Sequence, residues 1–307
     1  MSRVDVVVVG SANTDHVVQV SRLPSLGETV AGERYFVAPG GKGLNQAVAA
    51  ARQDASVALI ACLGKDDAGD QLAGVLKSEG IHAGGLRRTS QSPTGVALIT
   101  VADSGANTVV VAPLANAALT AEDIDATAGL IAGARVLLAQ LEVPAATVAR
   151  ALRVARDAGV TTVLNPAPAP GPVWGQVIAP DLVDVLVPNE TEATELSGLA
   201  AEDAGEALAA AGRGTVVVTM GARGALVTSQ SGASSWLVPA FEVSSVDGTG
   251  AGDAFCGALA AGLAAGEPMA TSLRRAAAAG ALATTAMGAV PSLPSAEAVG
   301  SLLARSS

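Results

Sequence analysis

Val6-Val7-Val8-Val9-Gly10-Ser11-Ala12-Asn13-Thr14-Asp15 is an apolar run that passes at once into small and polar residues. The apolar residues are continuous instead of alternating, which is typical of a strand covered on both faces. The residues after the run lack the GxGxxG pattern, so the stretch gives no support to a nicotinamide dinucleotide fold. It therefore predicts a buried strand that ends in polar side chains.

Apolar runs of the same kind recur along the chain. They are residues 57–61, 136–139, 161–164, 183–187 and 216–219. Helical patterns lie between them at residues 45–52, 68–78, 147–157 and 203–211, and Gly80, Gly159 and Gly212 each follow one of the last three. This β-α-β alternation predicts an α/β fold with a mostly parallel central sheet covered by helices on both faces.

Two regions interrupt the alternation. Residues 94–100 and 108–111 flank a turn-rich segment and predict a β-hairpin, and residues 16–20 and 28–37 also have strand patterns. No helices separate these strands, so we expect a small sheet that acts as a lid over a cleft. The predicted division is a core of residues 1–14, 39–92 and 113–307 and a β-strand lid of residues 15–38 and 93–112.

Composition excludes several classes of partner. The 307 residues allow one large α/β domain with an insertion or two ordinary domains. The formal net charge is −10, and no run of Lys or Arg occurs, which argues against nucleic acid and anionic membranes as partners. Three Phe, two Trp and one Tyr leave little for base stacking. The implied ligands are small molecules.

Targeting and redox signals are weak. The start, MSRVDVVVVG, lacks the basic stretch and long apolar core of a signal peptide, so we expect a cytoplasmic protein. The uncharged residues 276–296 contain Pro291 and Pro294 and predict a buried helix instead of a membrane span. Cys62 and Cys256 form no CxxC pair and are expected to be core thiols. His16 and His82 lack a nucleophile-bearing motif, which leaves carboxylates as general bases.

A glycine loop opens onto a helix at Pro39-Gly40-Gly41-Lys42-Gly43-Leu44-Asn45-Gln46. Glycines there let the backbone approach a ligand closely. The loop is not a Walker A loop, because Phe36 stands where its first glycine belongs and Gly43 follows Lys42 where Ser or Thr belongs. A purely structural turn is the alternative.

A second glycine loop, Val246-Asp247-Gly248-Thr249-Gly250-Ala251-Gly252-Asp253-Ala254-Phe255, precedes a helix of small residues. A helix start of this kind directs unpaired N–H groups at one point, and the helix dipole adds partial positive charge. We therefore expect an anion hole, with Asp253 placed to accept a proton from a hydroxyl that attacks a phosphate. Alternatively, Asp253 is only a first-turn carboxylate that the dipole favours.

Two more segments follow apolar runs. Asn189 and Glu192 come directly after residues 183–187, and their oxygen atoms suit Mg²⁺ or its water shell, although acids in a first helical turn are also common capping residues. Thr219-Met220-Gly221-Ala222-Arg223-Gly224 follows the run at 216–219. Its glycines suit either a nucleotide or a simple strand-to-strand turn.

Together these segments resemble the ribokinase-like superfamily of sugar kinases, which includes the B-type phosphofructokinases, over nearly the whole chain. Residues 40–46 are similar to the first family signature, and residues 247–255 are similar to the second. The remaining matches are most similar to ribokinases. They are Gly10-Ser11-Ala12-Asn13-Thr14-Asp15, Leu23-Pro24, Gly27-Glu28-Thr29, Ala115-Asn116-Ala117, Gln140-Leu141-Glu142, Asn165-Pro166-Ala167-Pro168-Ala169 and Asn189-Glu190-Thr191-Glu192.

The resemblance implies a role for each site residue. The catalytic base would be Asp253, and the anion hole would be Gly250, Ala251 and Gly252. The sugar would be held by Asn13, Thr14, Asp15, Gly41, Lys42, Gly43, Asn45 and Glu142, together with Asp253. The nucleotide would contact Asn189, Thr219, Met220, Gly221, Ala222, Arg223, Gly224 and Gly252, with Glu192 acting on Mg²⁺ through water. A monovalent cation, K⁺, would be bound by Asp247, Thr249, Ala283, Ala286, Gly288 and Ser292.

Three positions depart from the family pattern. Gly248 stands where relatives usually have Thr, which adds backbone freedom to the cation loop. Leu114 replaces a usual Gly near the lid hinge, and Ala277 replaces Asn or His near the nucleotide. These departures concern the affinity for the cation and the nucleotide, and they leave the proposed base and sugar contacts intact.

The activity implied by the resemblance is ATP-dependent phosphorylation of the 5-hydroxyl of D-ribose, giving D-ribose 5-phosphate and ADP. We expect a homodimer formed through the lid, with Val96, Leu98, Val109 and Val111 as apolar candidates for the interface. One alternative is the same chemistry on 2-deoxyribose, fructose or a nucleoside. The other is a non-catalytic sugar-binding regulator, which would not need Asp253.

Overall fold

A large sheet forms the centre of the molecule. The computed structural model describes residues 4–169, 174–212, 214–229 and 234–306. Within them the large sheet has nine strands in the order β13-β12-β11-β10-β9-β8-β1-β4-β5. Its strands are β1 (Val6–Val9), β4 (Val57–Gly64), β5 (His82–Thr89), β8 (Val136–Ala139), β9 (Thr161–Leu164), β10 (Val185–Leu186), β11 (Thr215–Thr219), β12 (Ala225–Thr228) and β13 (Ser235–Val238). The pairs from β11 to β5 are parallel, and β12 and β13 are antiparallel additions, which confirms the mostly parallel sheet.

Helices cover both faces of this sheet. They are α1 (Lys42–Ala51), α2 (Asp67–Ser78), α3 (Ala121–Ala126), α4 (Ala128–Ala132), α5 (Ala145–Asp157), α6 (Trp174–Val177), α7 (Glu190–Ser197), α8 (Ala201–Ala210), α9 (Ala251–Ala264), α10 (Met269–Ala283) and α11 (Ala296–Arg305). Val6 and Val8 of β1 pack into the apolar cluster that contains α1, α9 and α10. Val7 and Val9 pack into the cluster that contains α5 and α8. Both faces of β1 are therefore buried against apolar side chains, which explains its continuous apolar run.

Some predicted boundaries change. The strand expected at 183–187 is reduced to β10, because the ladder pairs only Val185 and Leu186 with their neighbours. The buried helix predicted over residues 276–296 is shorter, because helix α10 ends at Ala283. Pro291 lies beyond it in a short 3₁₀ turn. Both cysteines are buried, as expected. No helix in the described part of the chain is long and apolar enough to cross a membrane.

A four-stranded sheet stands apart from the large one, in the order β3-β2-β6-β7. It contains β2 (Asn13–Val20), β3 (Arg34–Gly40), β6 (Gly95–Ala102) and β7 (Asn107–Ala112), and β6 and β7 form the expected hairpin. The strand predicted at 28–37 begins only at Arg34, so the prediction was wrong for residues 28–33. We call this sheet the lid. The exact division into core and lid ranges stays a prediction, and residues 1–3 and 307 of the predicted core lie outside the described residues.

The register of the hairpin corrects the predicted apolar set of the lid. Leu98 lies opposite Val110, and Ala97 lies opposite Val111. Because directly opposed residues point to the same face and neighbours alternate, Leu98 and Val110 share one face while Val109 and Val111 share the other. The four residues chosen from sequence therefore do not form one patch. On the face of Leu98 the exposed apolar residues also include Val37 and Tyr35.

Candidate active site

The predicted functional segments meet at the carboxyl ends of the parallel strands. A cavity of about 220 Å³ lies there, and a larger cavity of about 940 Å³ lies beside it. The smaller cavity is lined by Lys42, Asn165, Ala167, Val187, Asn189, Glu192, Thr219, Gly248, Gly250, Gly252, Asp253 and Cys256. Residues far apart in sequence thus share one cleft, as expected for ligand sites in open α/β sheets.

Asp253 lies in the first turn of α9 and is buried. Gly250 precedes the helix with φ of 80°, a left-handed conformation that favours glycine, and a side chain there would crowd the backbone of Ala289. One carboxylate oxygen of Asp253 accepts a hydrogen bond from Asn45 Nδ2 at 2.9 Å, and the other accepts one from Gln46 Nε2 at 2.9 Å. Side chains of α1 therefore hold the expected base in a fixed orientation. Beside it, the N–H groups of Gly252 and Asp253 have no hydrogen-bond partner among the described residues, whereas the N–H of Ala251, predicted to belong to the anion hole, donates to Gly248 O at 3.3 Å.

Asn13 and Asp15 lie on one face of β2, where it leaves the core for the lid. Asn13 Oδ1 accepts a hydrogen bond from Asn116 Nδ2 at 2.7 Å, and Asn116 also accepts the N–H of Ala12. Gly95 passes so close that a side chain there would overlap Asn13 and Asn116. Asp15 packs against Gly40, and its Oδ1 is buried with no hydrogen-bond partner among the described residues.

Glu142 follows β8 and joins three segments of the site. Its Oε2 accepts hydrogen bonds from Ser11 Oγ at 2.5 Å and from the N–H of Lys42 at 3.0 Å. Asn45, one turn into α1, is buried, and its Oδ1 accepts no hydrogen bond from the described residues. Asp15 and Asn45 therefore both present buried oxygen acceptors, which suit the hydroxyl donors of a polyol.

Several charged side chains lie close together in the cleft. Burial raises the pKa of Asp15 to about 7, with further contributions from Glu142 and Asp253. Burial acts to lower the pKa of Lys42, but Asp253, Glu142 and Glu192 outweigh it, and the net pKa of Lys42 is raised. The Lys42 ammonium is therefore charged and faces carboxylates, where it can neutralise a further anion.

Asn189 and Glu192 form a capping box at the start of α7. Asn189 Oδ1 accepts the N–H of Glu192 at 2.8 Å, and Glu192 Oε2 accepts the N–H of Asn189 at 2.8 Å. Burial, reinforced by Asp253, raises the pKa of Glu192. The capping alternative of the sequence analysis is therefore real, but both residues also line the smaller cavity.

The larger cavity is built mainly from small residues and backbone. Its lining comprises Thr219, Gly221, Ala222, Arg223, Gly224, Pro239, Ala240, Phe241, Glu242, Val243, Ser245, Gly248, Ala251, Gly252, Phe255, Ala277, Gly280, Ala281 and Thr284. Arg223 is exposed and paired with Glu190 and Glu202. Met220 differs from the other predicted residues of its loop, because its side chain packs in the apolar core beneath it.

Three of the predicted cation residues, Asp247, Thr249 and Gly288, contact one another. Asp247 Oδ1 accepts hydrogen bonds from the N–H and hydroxyl of Thr249, and Oδ2 accepts the N–H of Gly288 at 2.8 Å. Burial would raise the pKa of Asp247, but these hydrogen bonds lower it below its ordinary value. Ala283 ends α10, Ala286 and Gly288 lie in the following loop, and Ser292 donates its hydroxyl to Ala289 O at 2.9 Å.

Several polar residues of the site were not assigned a role from sequence. Asn116 orients Asn13, Gln46 contacts Asp253, and Asn165 contacts Gln46. All three stand inside the quoted family matches, so the signal was present, but side-chain partners more than 100 positions apart cannot be inferred from spacing. Thr14 lies between Asn13 and Asp15 on β2, so its side chain points to the opposite face. Phe241, in the larger cavity, stands in no segment that the sequence analysis singled out.

A known protein family and solved structures match nearly the whole chain. A family model described as pfkB family carbohydrate kinase matches residues 3–296. The chain is 39% identical over 296 residues to the ribokinase of Haemophilus influenzae, covering 94% of each chain. It is 35% identical over 262 residues to the deoxyribokinase of Salmonella typhi, covering 83% of this chain and 84% of that one. The structure of Arabidopsis thaliana ribokinase complexed with ribose and ATP is similar with a TM-score of 0.88 and 31% identity, covering 98% of each chain.

Proposed function

The chain belongs to the pfkB family of carbohydrate kinases, and on this basis we propose that it transfers the γ-phosphoryl group of ATP to the 5-hydroxyl of D-ribose. The products are D-ribose 5-phosphate and ADP. The observation that carries the proposal is the buried Asp253, hydrogen-bonded on both oxygens, beside the helix start at Gly250 and the unpartnered acceptors of Asp15 and Asn45. The relatives named ribokinase support the choice of sugar.

The sugar occupies the side of the cleft formed by β2, α1 and Glu142. Each ribose hydroxyl is both a donor and an acceptor, so a water-free site must pair it with directional polar groups. Asp15 and Asn45 supply acceptors, and the backbone of the glycine loop at Gly41 and Gly43 allows close approach. The lid strands cover this side and exclude water from the transfer, which limits ATP hydrolysis.

The nucleotide occupies the larger cavity, with its phosphates directed at the start of α9. The N–H groups of the first turn and the helix dipole stabilise charge on the transferred phosphoryl group. Asp253 accepts the proton of the attacking hydroxyl. Lys42, which sequence analysis placed with the sugar, lines the smaller cavity between the two ligands. We assign its ammonium to the phosphoryl group in transit.

Mg²⁺ fits the oxygen-rich wall of the smaller cavity. Glu192 and Asn189 line it, and hard cations of this size prefer oxygen ligands and keep several waters. No cluster of three or more His, Cys, Asp or Glu side chains among the described residues could hold a metal ion alone. Because Mg²⁺ keeps several of its waters, Glu192 would act on it through water, and the ion would neutralise phosphate charge.

A monovalent cation fits the loop of Asp247. The carboxylate is held ionised, and the carbonyl oxygens of Ala286 and Gly288 accept no hydrogen bond from the described residues. A carboxylate with several carbonyl oxygens is the ligand set that larger monovalent ions accept. Bound K⁺ would stiffen the loop that leads into the anion hole.

The lid also supports the proposal of a homodimer. Strand β7 is exposed along its whole length at the edge of the lid sheet, and Leu98 and Val110 are 56% and 65% exposed on one face. An uncovered sheet edge with apolar side chains favours burial against a second surface. The mass in solution at micromolar concentration checks this proposal, which a monomer mass would refute. The cytoplasmic location stays a prediction.

The experiment that tests the activity measures ADP release with ATP and Mg²⁺ in the presence of single sugars. D-Ribose is expected to give the highest kcat/KM among ribose, 2-deoxyribose, fructose and a nucleoside. The second candidate is 2-deoxyribose, which the similarity to a deoxyribokinase favours. A higher kcat/KM with 2-deoxyribose would transfer the assignment to that sugar, and sugar binding without turnover would instead identify a regulator.

A further inference from the structure

Three buried amide side chains form a hydrogen-bonded chain behind Asp253. Gln46 Nε2 donates to Asp253 Oδ1 at 2.9 Å and to Asn165 Oδ1 at 3.0 Å, and Gln46 Oε1 accepts from Gln140 Nε2 at 2.5 Å. Asn165 Nδ2 donates in turn to the carbonyl of Val187 at 2.8 Å. Gln46 and Gln140 have no exposed surface. The amide of Gln46 makes all its hydrogen bonds to protein groups, so contact with a substrate does not account for its burial.

The two ends of the chain fix its direction. An ionised carboxylate can only accept hydrogen bonds, so Gln46 must turn its NH₂ group towards Asp253 and its oxygen towards Gln140. The carbonyl of Val187 can also only accept, so Asn165 must turn its NH₂ group towards that carbonyl and its oxygen towards Gln46. Gln46 therefore has a single arrangement that satisfies both neighbours, and rotation of its amide would break three hydrogen bonds.

The backbone is shaped to bring Gln46 to Asp253. Consecutive residues of a helix point about 100° apart, yet Asn45 and Gln46 of α1 both reach the carboxylate of Asp253 on α9. This is possible because α1 and α9 approach closely at Gly257, where any side chain would overlap Ala49 and the carbonyl of Gln46. Asn45 Oδ1 is buried and accepts no hydrogen bond from the described residues, whereas the side-chain amide atoms of Gln46 are all hydrogen-bonded within the protein.

We propose that Gln46 is the positioning residue for the catalytic base, and that Gln140 and Asn165 lock it in place. This inference rests on the proposed phosphoryl transfer to ribose. The carboxylate of Asp253 lies near Asp15 and Glu192, which repel it, and near Lys42, which attracts it. Charges on several sides do not by themselves fix the orientation of a carboxylate. The donors on both of its oxygens hold it in the plane in which it can accept the proton.

The direct test is Gln46→Met, which keeps the length of the side chain and removes its NH₂ donor. We expect kcat with ribose to fall by about 10- to 100-fold, the scale for a misplaced catalytic group, while KM for ribose and for ATP changes less than about threefold. Gln53→Met is the matched control. Gln53 is another buried glutamine, just after α1, whose amide donates to the carbonyls of Arg52 and Pro294 and touches no residue of the site. Its kcat should stay within about twofold of wild type.

A double-mutant cycle separates positioning from a general structural role. In an Asp253→Asn background the group that Gln46 positions is gone, so adding Gln46→Met should lower the residual rate by less than about twofold. An equal loss in both backgrounds, or an unchanged kcat for Gln46→Met alone, overturns the proposal. If Gln46→Met fails to fold, Gln140→Met replaces it, with an expected kcat loss of about 3- to 10-fold and the same coupling to Asp253.

The same assay separates the failure of this inference from the failure of the proposed function. Wild-type protein that releases no ribose-dependent ADP refutes the proposed function and the inference with it. Wild-type turnover that Asp253→Asn abolishes and Gln46→Met spares leaves the proposed function standing and overturns only the role of Gln46.

Discussion

The sugar side and the nucleotide side of the cleft are built from different materials. On the sugar side, Asn13, Asp15, Asn45 and Glu142 are side chains held by other side chains, such as Asn116 on Asn13 and Ser11 on Glu142. On the nucleotide side, most lining residues are Gly, Ala and other small residues, in a cavity of about 940 Å³. The sugar side therefore offers a few buried polar groups with fixed directions, whereas the nucleotide side offers backbone atoms and a large contact surface.

This difference predicts where the chain can tolerate change. A buried polar group that loses its partner costs the full desolvation of that partner, so single substitutions on the sugar side should have large and specific effects. Contacts made by backbone and apolar area are spread over many residues, so single substitutions on the nucleotide side should have small effects. Asp253 joins the two sides, because it contacts α1 and lies in the first turn of α9.

The largest effect is expected at the junction of the two sides. Asp253→Asn keeps the shape of the side chain and removes the base, so kcat should fall by about 10²- to 10⁴-fold. Calorimetric binding of ribose and of ATP should each change only a few-fold, because the remaining contacts of each side stay in place. Near-normal ADP release by the variant would end the assignment of Asp253.

The next effect concerns the stability of the sugar side without ligand. The pKa of Asp15 is about 7 in the folded chain and near 3.8 in the unfolded chain, so the folded state binds the proton more tightly. Its contribution to stability is present below about pH 4 and is lost as the pH rises through 7. Asp15→Asn should therefore raise the free energy of unfolding at pH 8 by up to about 4 kcal/mol, and by less than half of that at pH 5.

Thermal denaturation of the ligand-free protein at the two pH values measures this effect. Asp103→Asn, at an exposed carboxylate in the lid turn, is the matched control and should not change stability at either pH. The same Asp15→Asn variant should bind ribose more weakly, because a hydrogen-bond acceptor for the sugar is replaced. A stability gain that is equal at pH 5 and pH 8 would contradict the assigned cause.

The contrast between the sides is tested directly by one variant on each. Asn13→Ala removes a buried polar group that contacts the sugar and the acceptor of Asn116 Nδ2, and it should weaken ribose binding by about 1–3 kcal/mol, with ATP affinity unchanged. Phe241→Ala removes an aromatic wall of the larger cavity and should weaken ATP binding by about 1 kcal/mol, with ribose affinity unchanged. Titration calorimetry with each ligand gives all four affinities. If Asn13→Ala impairs ATP instead of ribose, the sugar pocket has been misplaced.

Sequence predicted the parts of the molecule that depend on local pattern. The strands Val136–Ala139 and Thr161–Leu164 match the predicted runs in full, because β-branched and aliphatic residues favour a strand that is covered on both faces. The start of strand β3 was predicted six residues too early. Residues 28–33 also have a strand pattern, but the pairing of β3 with β2 begins only where Arg34 lies opposite Gln19. Local sequence indicates that a strand forms, but its pairing with a neighbouring strand determines where it begins.

Predictions for the site likewise succeeded where the signal is local and failed where it depends on distant residues. The glycine loops were identified because a positive φ or a close backbone approach restricts the residue type, as at Gly41 and Gly250. The amide chain through Gln46, Gln140 and Asn165 was not, because it joins residues separated by 94 and 119 positions, and the local motifs that contain them do not show that they touch. The lid face was misjudged for a related reason, since only the register between β6 and β7 shows that Leu98 lies opposite Val110.

The smallest expected effect tests how the nucleotide side is stiffened. Gly248 lies in the proposed cation loop, outside the left-handed region, and a Cβ atom there would meet no atom of the described residues within 4 Å, so the backbone accepts Gly248→Thr without strain. Thr restricts the free backbone of the loop, which lowers the entropy lost when K⁺ binds. The K⁺ concentration for half-maximal activity should fall by about 2- to 5-fold at constant ionic strength, corresponding to about 0.4–1 kcal/mol. Gly74→Thr, at an open glycine on α2 far from the loop, should leave that concentration unchanged. Equal rates in K⁺ and in tetramethylammonium would show that the loop of Asp247 holds its shape alone, and the cation assignments of Thr249, Ala283, Ala286, Gly288 and Ser292 would then fall with it.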